Sequence, residues 1–114
     1  MENSRLQKVS RLIQKDMGEI LRTEAQRLFS GVIISVTKVS VSADLSLARL
    51  YVSIFVTGTT GKEDILNVLV KNKKNLRNLL AQRIRHQLRI IPDLAFFIDD
   101  SLDYAENIER LLKE

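Results

Sequence analysis

Apolar residues recur at spacings of three and four through the first part of the chain: Leu6, Val9, Ile13, Met17, Ile20, Leu21 and Leu28. That period puts them on one stripe of a helix predicted over residues 5–29. Arg5, Lys8, Arg11, Lys15 and Arg22 fall mostly off the stripe, and Gly31 can supply a left-handed stop. The period then shortens to two. "ISVTKVSVS" (34–42) alternates poorly at first, then cleanly through Val39 and Val41. "LARLYVSIFV" (47–56) sets Ala48, Leu50, Val52, Ile54 and Val56 on one face and Leu47, Tyr51 and Phe55 on the other. With the turn residues of "SADLS" (42–46) between them, the two runs predict a β-hairpin. After a loop at residues 57–62, helical spacing returns with Ile65, Val68, Leu69, Leu76, Leu79 and Leu80. Pro92 is expected to end that helix, because the residue before a proline is pushed out of the helical region. "DLAFFID" (93–99) predicts a short strand. Residues 101–114 predict a last helix capped by Asp100 or Ser101. The order α-β-β-α-β-α makes a two-layer α+β domain, a three-stranded sheet covered by helices on one face.

The second predicted helix does not fit a straight rod. On an ideal helix of about 100° per residue, Leu76, Leu79 and Leu80 share an arc with Ile65 and Leu69. Lys71, Lys74, Arg77, Arg85 and Arg89 project away from it, with Lys73 near its border. Asn72 interrupts the stripe, Arg83 lands in its middle, and Ile84 and Leu88 drift toward the basic side. Either the helix breaks near residues 72–75 or changes phase after Leu80, or Arg83 snorkels at the edge of the stripe.

Charge sharpens the picture. Residues 71–92 hold seven Lys or Arg and no Asp or Glu. Residues 1–89 carry 16 basic and 7 acidic side chains, and residues 90–114 carry 2 and 7. A solvated helix face normally mixes signs, since opposite charges three or four apart stabilise it. An acid-free run is therefore read as a phosphate-facing surface, with Lys as a point charge and Arg as a planar fork. Chance and helix-dipole compensation are the alternative for the charge asymmetry. Tyr51 and Phe55 are expected in the core, the alternative being stacking platforms for bases.

Chemistry is scarce. There is no Cys, and His86 is the single histidine, which excludes disulfides, thiolate metal sites and His-rich catalytic pairs. "GTTGKE" (58–63) lacks the spacer and the following Ser or Thr of a phosphate loop. "DDSLD" (99–103) is explained by a helix cap. No nucleophile sits with a base, so no enzyme and no cofactor are expected. With 114 residues and no run long enough for a membrane span or signal peptide, one cytoplasmic domain is expected over residues 1–114.

Three segments together resemble the ribosome-binding factor A family: "RLQKVSRLIQKDMGEIL", "VSVSADLSLARLYVSIF" and "RIRHQLRIIPDLAFFIDDSLDYAENIERLL". Asp44, Leu45, Ala48, Tyr51, Ser53, Leu88, Arg89, Pro92, Phe96, Asp99, Ser101 and Tyr104 carry the pattern. The resemblance implies a KH-like fold of type II topology, with a kinked helix in place of the phosphate loop of ordinary KH domains. The family marks its kink with Ala-x-Gly, where this chain has Asn72-Lys73-Lys74. His86-Gln87 looks like a two-residue addition, and the long basic C-terminal tail of many members is not expected. The implied role is a non-catalytic factor that binds the immature small (30S) ribosomal subunit near the 5′ helix and central pseudoknot of 16S rRNA. It would support late rRNA processing and cold adaptation, and be a monomer off the ribosome. RNA contacts are expected from Lys71, Lys73, Lys74, Arg77, Arg83, Arg85 and Arg89, extended by Arg5, Lys8, Arg11 and Lys15. The alternative is a basic module that docks an acidic ribosomal protein or a GTPase.

Overall fold

The computed structural model describes residues 4–99. Its order is α1 (Ser4–Leu28), β1 (Val32–Val41), β2 (Leu47–Val56), α2 (Lys62–Lys71), α3 (Lys73–Ile84) and β3 (Asp93–Ile98). β1 pairs antiparallel with β2, and β3 joins parallel to the other edge of β2. This is the expected α+β arrangement, with the kinked helix resolved into two. The last helix expected, over residues 101–114, lies outside the described residues.

α1 buries Val9, Ile13, Met17, Ile20, Leu21 and Ala25. Leu6 and Leu28, expected on the stripe, are half-buried at its two ends, and Ala25 takes a place the sequence pattern did not assign. Gly31, three residues beyond the end of α1, has φ 68°, and its carbonyl accepts hydrogen bonds from the Thr57 amide at 2.9 Å and hydroxyl at 3.0 Å. A Cβ at this position would stand 2.2 Å from Thr57 Oγ1. Gly31→Ala is therefore expected to cost about 1–3 kcal/mol, read as a lower midpoint in thermal melting.

The uneven alternation of β1 has a physical cause. The register shifts between Val36 and Lys38, so the inward positions change parity, from Val32 and Ile34 to Val39. The extra residue is a β-bulge. On β2 the face of Ala48, Leu50, Val52 and Ile54 is buried as expected. Phe55 is not core: it stands 60% exposed on the opposite face, beside Ile33 at 58%. Tyr51 is half-buried on that face and stacks on Phe97. Among the described residues the helices cover only one side of the sheet, so an outward aromatic on β2 has no helix to enter.

The hairpin turn is held by Asp44. Its carboxylate accepts from the Ser46 hydroxyl at 2.7 Å, the Ser42 hydroxyl at 2.8 Å and the Ser46 amide at 3.1 Å. These donors favour the ionised form and lower the carboxyl from 3.8 to about 2, the Ser46 hydroxyl contributing most. The turn also carries Leu45 at φ 62°. A depressed carboxyl stabilises the fold above its unfolded pKa and loses that contribution as pH falls through the folded value. The Ser46 amide resonance is expected to titrate with a midpoint near 2 and to lose that transition in Asp44→Asn.

Of the alternatives the spacing left open for the second predicted helix, the structure shows a break, at Asn72 and without any left-handed residue. Asn72 has φ −95° and ψ 10°. Its amide is shared between the carbonyls of Val68 at 3.0 Å and Leu69 at 3.1 Å, and its side-chain Nδ2 donates to Val68 O at 2.8 Å. The side chain thus caps the end of α2, and the chain restarts one residue later. The restart changes the phase of α3. Leu76, Leu80 and Ile84, spaced by four, are fully buried, so the expected drift of Ile84 toward the basic side does not occur. Leu88 is half-buried against the core. Pro92 also ends no helix. α3 stops at Ile84, whose carbonyl accepts from Gln87 N at 2.8 Å and Leu88 N at 2.9 Å in a closing turn. Among the described residues no helix is long and apolar enough to cross a membrane.

Candidate nucleic-acid interface

The structure divides the basic stretch between the two ends of α3. At the first end, Lys71, Lys73 and Lys74 surround the break at Asn72. Lys71 and Lys74 are exposed and Lys73 is half-exposed. The first turn of α3 has no acidic residue, and Asn72 makes no side-chain cap to it. A helix N-terminus carries partial positive charge and unsatisfied amides. Lys73 and Lys74 there repel the dipole and one another, while Lys71 closes the last turn of α2, where the dipole favours a cation. Compensation comes from an exposed ion pair, Lys73 Nζ to Asp93 Oδ2 at 3.7 Å, of a kind that contributes about 0–1 kcal/mol. An external anion would relieve this arrangement, which is how helix N-termini hold phosphate.

At the other end, internal structure accounts for more of the charge. Arg83 donates to Glu19 and, at 3.4 Å, to Asp16, both on α1. The guanidinium holds the Glu19 carboxyl below its ordinary range, mainly through that hydrogen bond, and the Glu19 carboxylate raises Arg83 in return. Arg83 sits near the apolar stripe because α1 meets α3 there. Arg77, in the middle of α3, points its fork at two backbone carbonyls, Ile91 O at 2.7 Å and Pro92 O at 3.1 Å. It fastens the segment entering β3. Arg85 caps the C-terminal end of α3, where the helix dipole favours a cation. Arg89 is exposed on the following segment.

The α1 cations do not stand alone. Lys8, Arg11 and Lys15, three and four residues apart, line a groove of about 480 Å³ with Val9, Leu12, Gln87 and Leu88. The closing turn after α3 therefore brings the second half of the basic stretch to the cationic side of α1. Arg5 is exposed one turn before Lys8. Gln87 and Leu88 were not assigned to a surface from sequence, since their neighbours lie on α1 and no local spacing reports that. Among the described residues, no group of three or more His, Cys, Asp or Glu could hold a metal ion.

Arg83→Ala is expected to leave the salt dependence of nucleic-acid binding unchanged, because its charge is matched by Asp16 and Glu19. Lys74→Ala is expected to lower the slope of log affinity against log salt by about one unit. Binding titrations at several salt concentrations distinguish the two.

Known proteins share this architecture. A crystal structure of ribosome-binding factor A from Thermus thermophilus superposes with a TM-score of 0.65 at 26% identity, covering 82% of this chain and 94% of that one. A Thermus thermophilus ribosome-binding factor A homology model, fitted into the cryo-EM map of a 30S complex, gives a TM-score of 0.60 at 26% identity over 78% of this chain and 93% of that one. Ribosome-binding factor A of Cytophaga hutchinsonii is 46% identical over 114 residues, covering 100% of this chain and 84% of the relative. That of Christiangramia forsetii is 42% identical over 113 residues, covering 98% and 85%. The family model described as ribosome-binding factor A matches residues 5–112, and the chain belongs to that family.

Proposed function

We propose that this chain is a non-catalytic assembly factor that binds the immature small ribosomal subunit through phosphates of 16S rRNA. The observation that carries the reading is the lysine cluster around the break: Lys73 and Lys74 open a helix N-terminus that has no acidic residue in its first turn and no side-chain cap, and Lys71 stands beside them at the end of α2. The α3 dipole disfavours Lys73 and Lys74, the three ammonium groups repel one another, and phosphate would stabilise the cluster. A relative's fit into a 30S complex supports the partner.

In this reading Lys8, Arg11 and Lys15 of α1, with Arg5, Arg85 and Arg89, extend the phosphate surface. Arg77 and Arg83 contribute mainly by holding α3 against β3 and α1. The site on the subunit lies near the 5′ helix of 16S rRNA, and binding assists late rRNA processing and maturation, with growth in the cold the condition most dependent on it. The factor acts in the cytoplasm as a single domain and a monomer. Co-sedimentation with immature subunits tests this. Binding should weaken steeply as salt rises, and nuclease trimming of exposed rRNA should release the protein. A complex indifferent to both treatments would instead identify a basic module docked on an acidic protein.

A further inference from the structure

We propose that the groove between α1 and the turn after α3 takes one unpaired nucleotide of the bound RNA, its base on the aliphatic floor and its flanking phosphates on Lys8, Arg11 and Lys15. This rests on the reading that the chain binds rRNA phosphates, and it adds the form of RNA that this end of the surface selects.

The cations form a line. Lys8, Arg11 and Lys15 are exposed on α1, and at about 1.5 Å of rise per residue they span about 10 Å. A stacked strand advances about 3.4 Å per nucleotide. The line therefore has room for two phosphates even when the base between them is splayed out and the backbone extended. Like charges at helical spacing repel one another. The acids that follow on α1, Asp16 and Glu19, are engaged by Arg83. Among the described residues none of the three cations forms a salt bridge.

The floor separates this patch from a plain phosphate surface. Leu12 and Leu88 are half-buried, and Val9, 5% exposed, closes the bottom. Duplex RNA offers such a surface mainly phosphates and sugars, which would leave those side chains wet. An unpaired base covers them and removes apolar area from water. The volume of about 480 Å³ lies within the range of small-ligand clefts, about 300–1,000 Å³. The far wall is fixed before binding, because the amides of Gln87 and Leu88 both donate to Ile84 O, at 2.8 and 2.9 Å. Gln87 is exposed on that wall, and its side-chain amide makes no hydrogen bond among the described residues. It can donate to and accept from the edge of one base.

An acidic protein helix is the competing occupant of a cationic, aliphatic groove. Such a helix needs a lane of anchors spread over about two turns, whereas the three aliphatic side chains here make a single pit. Positive charge also continues beyond the pit through Arg85 and Arg89, with no acid between them, as a strand that runs on requires.

The full chain with labelled methyl groups is titrated with three probes: an RNA hexamer containing all four bases, an abasic hexamer of equal charge, and a short RNA duplex. Leu12 and Leu88 methyl resonances are expected to shift with the base-bearing hexamer only, while amides of residues 71–74 shift with all three. The abasic hexamer should bind about tenfold more weakly, the loss of about 50–60 Å² of apolar contact, with an unchanged salt slope. Gln87→Ala should weaken binding of the base-bearing hexamer about threefold and so narrow its margin over the abasic strand. Equal affinity for the two hexamers would overturn the proposal and leave the phosphate reading standing. So would unmoved Leu12 and Leu88 methyls while residues 71–74 respond. Silence of residues 71–74 toward every RNA would overturn both. Leu12 and Leu88 responding to an acidic leucine-containing peptide, and not to the hexamer, would assign the groove to a protein.

Discussion

Reversing three charges at the break, Lys71→Glu, Lys73→Glu and Lys74→Glu, is expected to lower affinity for immature small subunits by about two orders of magnitude at physiological salt. The slope of log affinity against log salt should fall by about two to three units. Stability should change little, because the cost is one exposed pair, Lys73 with Asp93 at 3.7 Å, offset by removing positive charge from the N-terminus of α3. A variant that binds poorly yet melts close to the wild type separates contact from folding. The same reversal at Arg83 would not: it would place a carboxylate beside Asp16 and Glu19 and loosen α1 from α3.

The second large effect concerns the core. Ile84→Ala is expected to destabilise the domain by about 2–5 kcal/mol, lowering the melting midpoint by roughly 10 °C or more. Ile84 is fully buried with Leu76 and Leu80, and truncation leaves a cavity at the point where α3 ends. An unbroken helix from residue 62 to 91 would put Ile84 on the basic side, where the same substitution stays within about 0.5 kcal/mol. Chemical denaturation therefore measures the phase change at Asn72 as well as the packing.

The sequence was legible where local pattern and tertiary burial agree. α1 and β2 each bury one face of a regular repeat, and both were readable within a residue or two. β1 was readable only in outline, because the bulge at residues 36–38 switches the inward parity and looks like noise in a strict alternation. The end of α3 was misread for a different reason. Helical spacing and basic character continue past Ile84, there is no Gly or Asn to stop the chain, and Pro92 is a plausible terminator. The actual stop depends on partners distant in sequence, including the Arg77 fork on the carbonyls of Ile91 and Pro92.

The candidate site was legible as composition but not as geometry. Seven cations without an acid marked the stretch, yet no spacing could reveal that Asp16 and Glu19 neutralise Arg83, or that Arg77 is a strap. What remains at the break is a smaller cluster with a clearer electrostatic reason to bind phosphate. Lys74 stands where the family's Ala-x-Gly is expected to carry glycine, and Asn72 where it carries alanine. Asn72 makes the bend at a negative φ of −95° with ψ 10°, using its side chain as a cap on Val68, so left-handed freedom was never required. The deviation from the family motif thus preserves the break while leaving room for lysine on both sides.

Crosslinking of the bound protein to immature small subunits, mapped at once to nucleotide and residue, tests the central claim most directly. The account predicts RNA adducts concentrated at Lys71, Lys73 and Lys74, with a second group at Lys8, Arg11 and Lys15. Adducts confined to ribosomal proteins, or RNA adducts that avoid the break between α2 and α3, would contradict it.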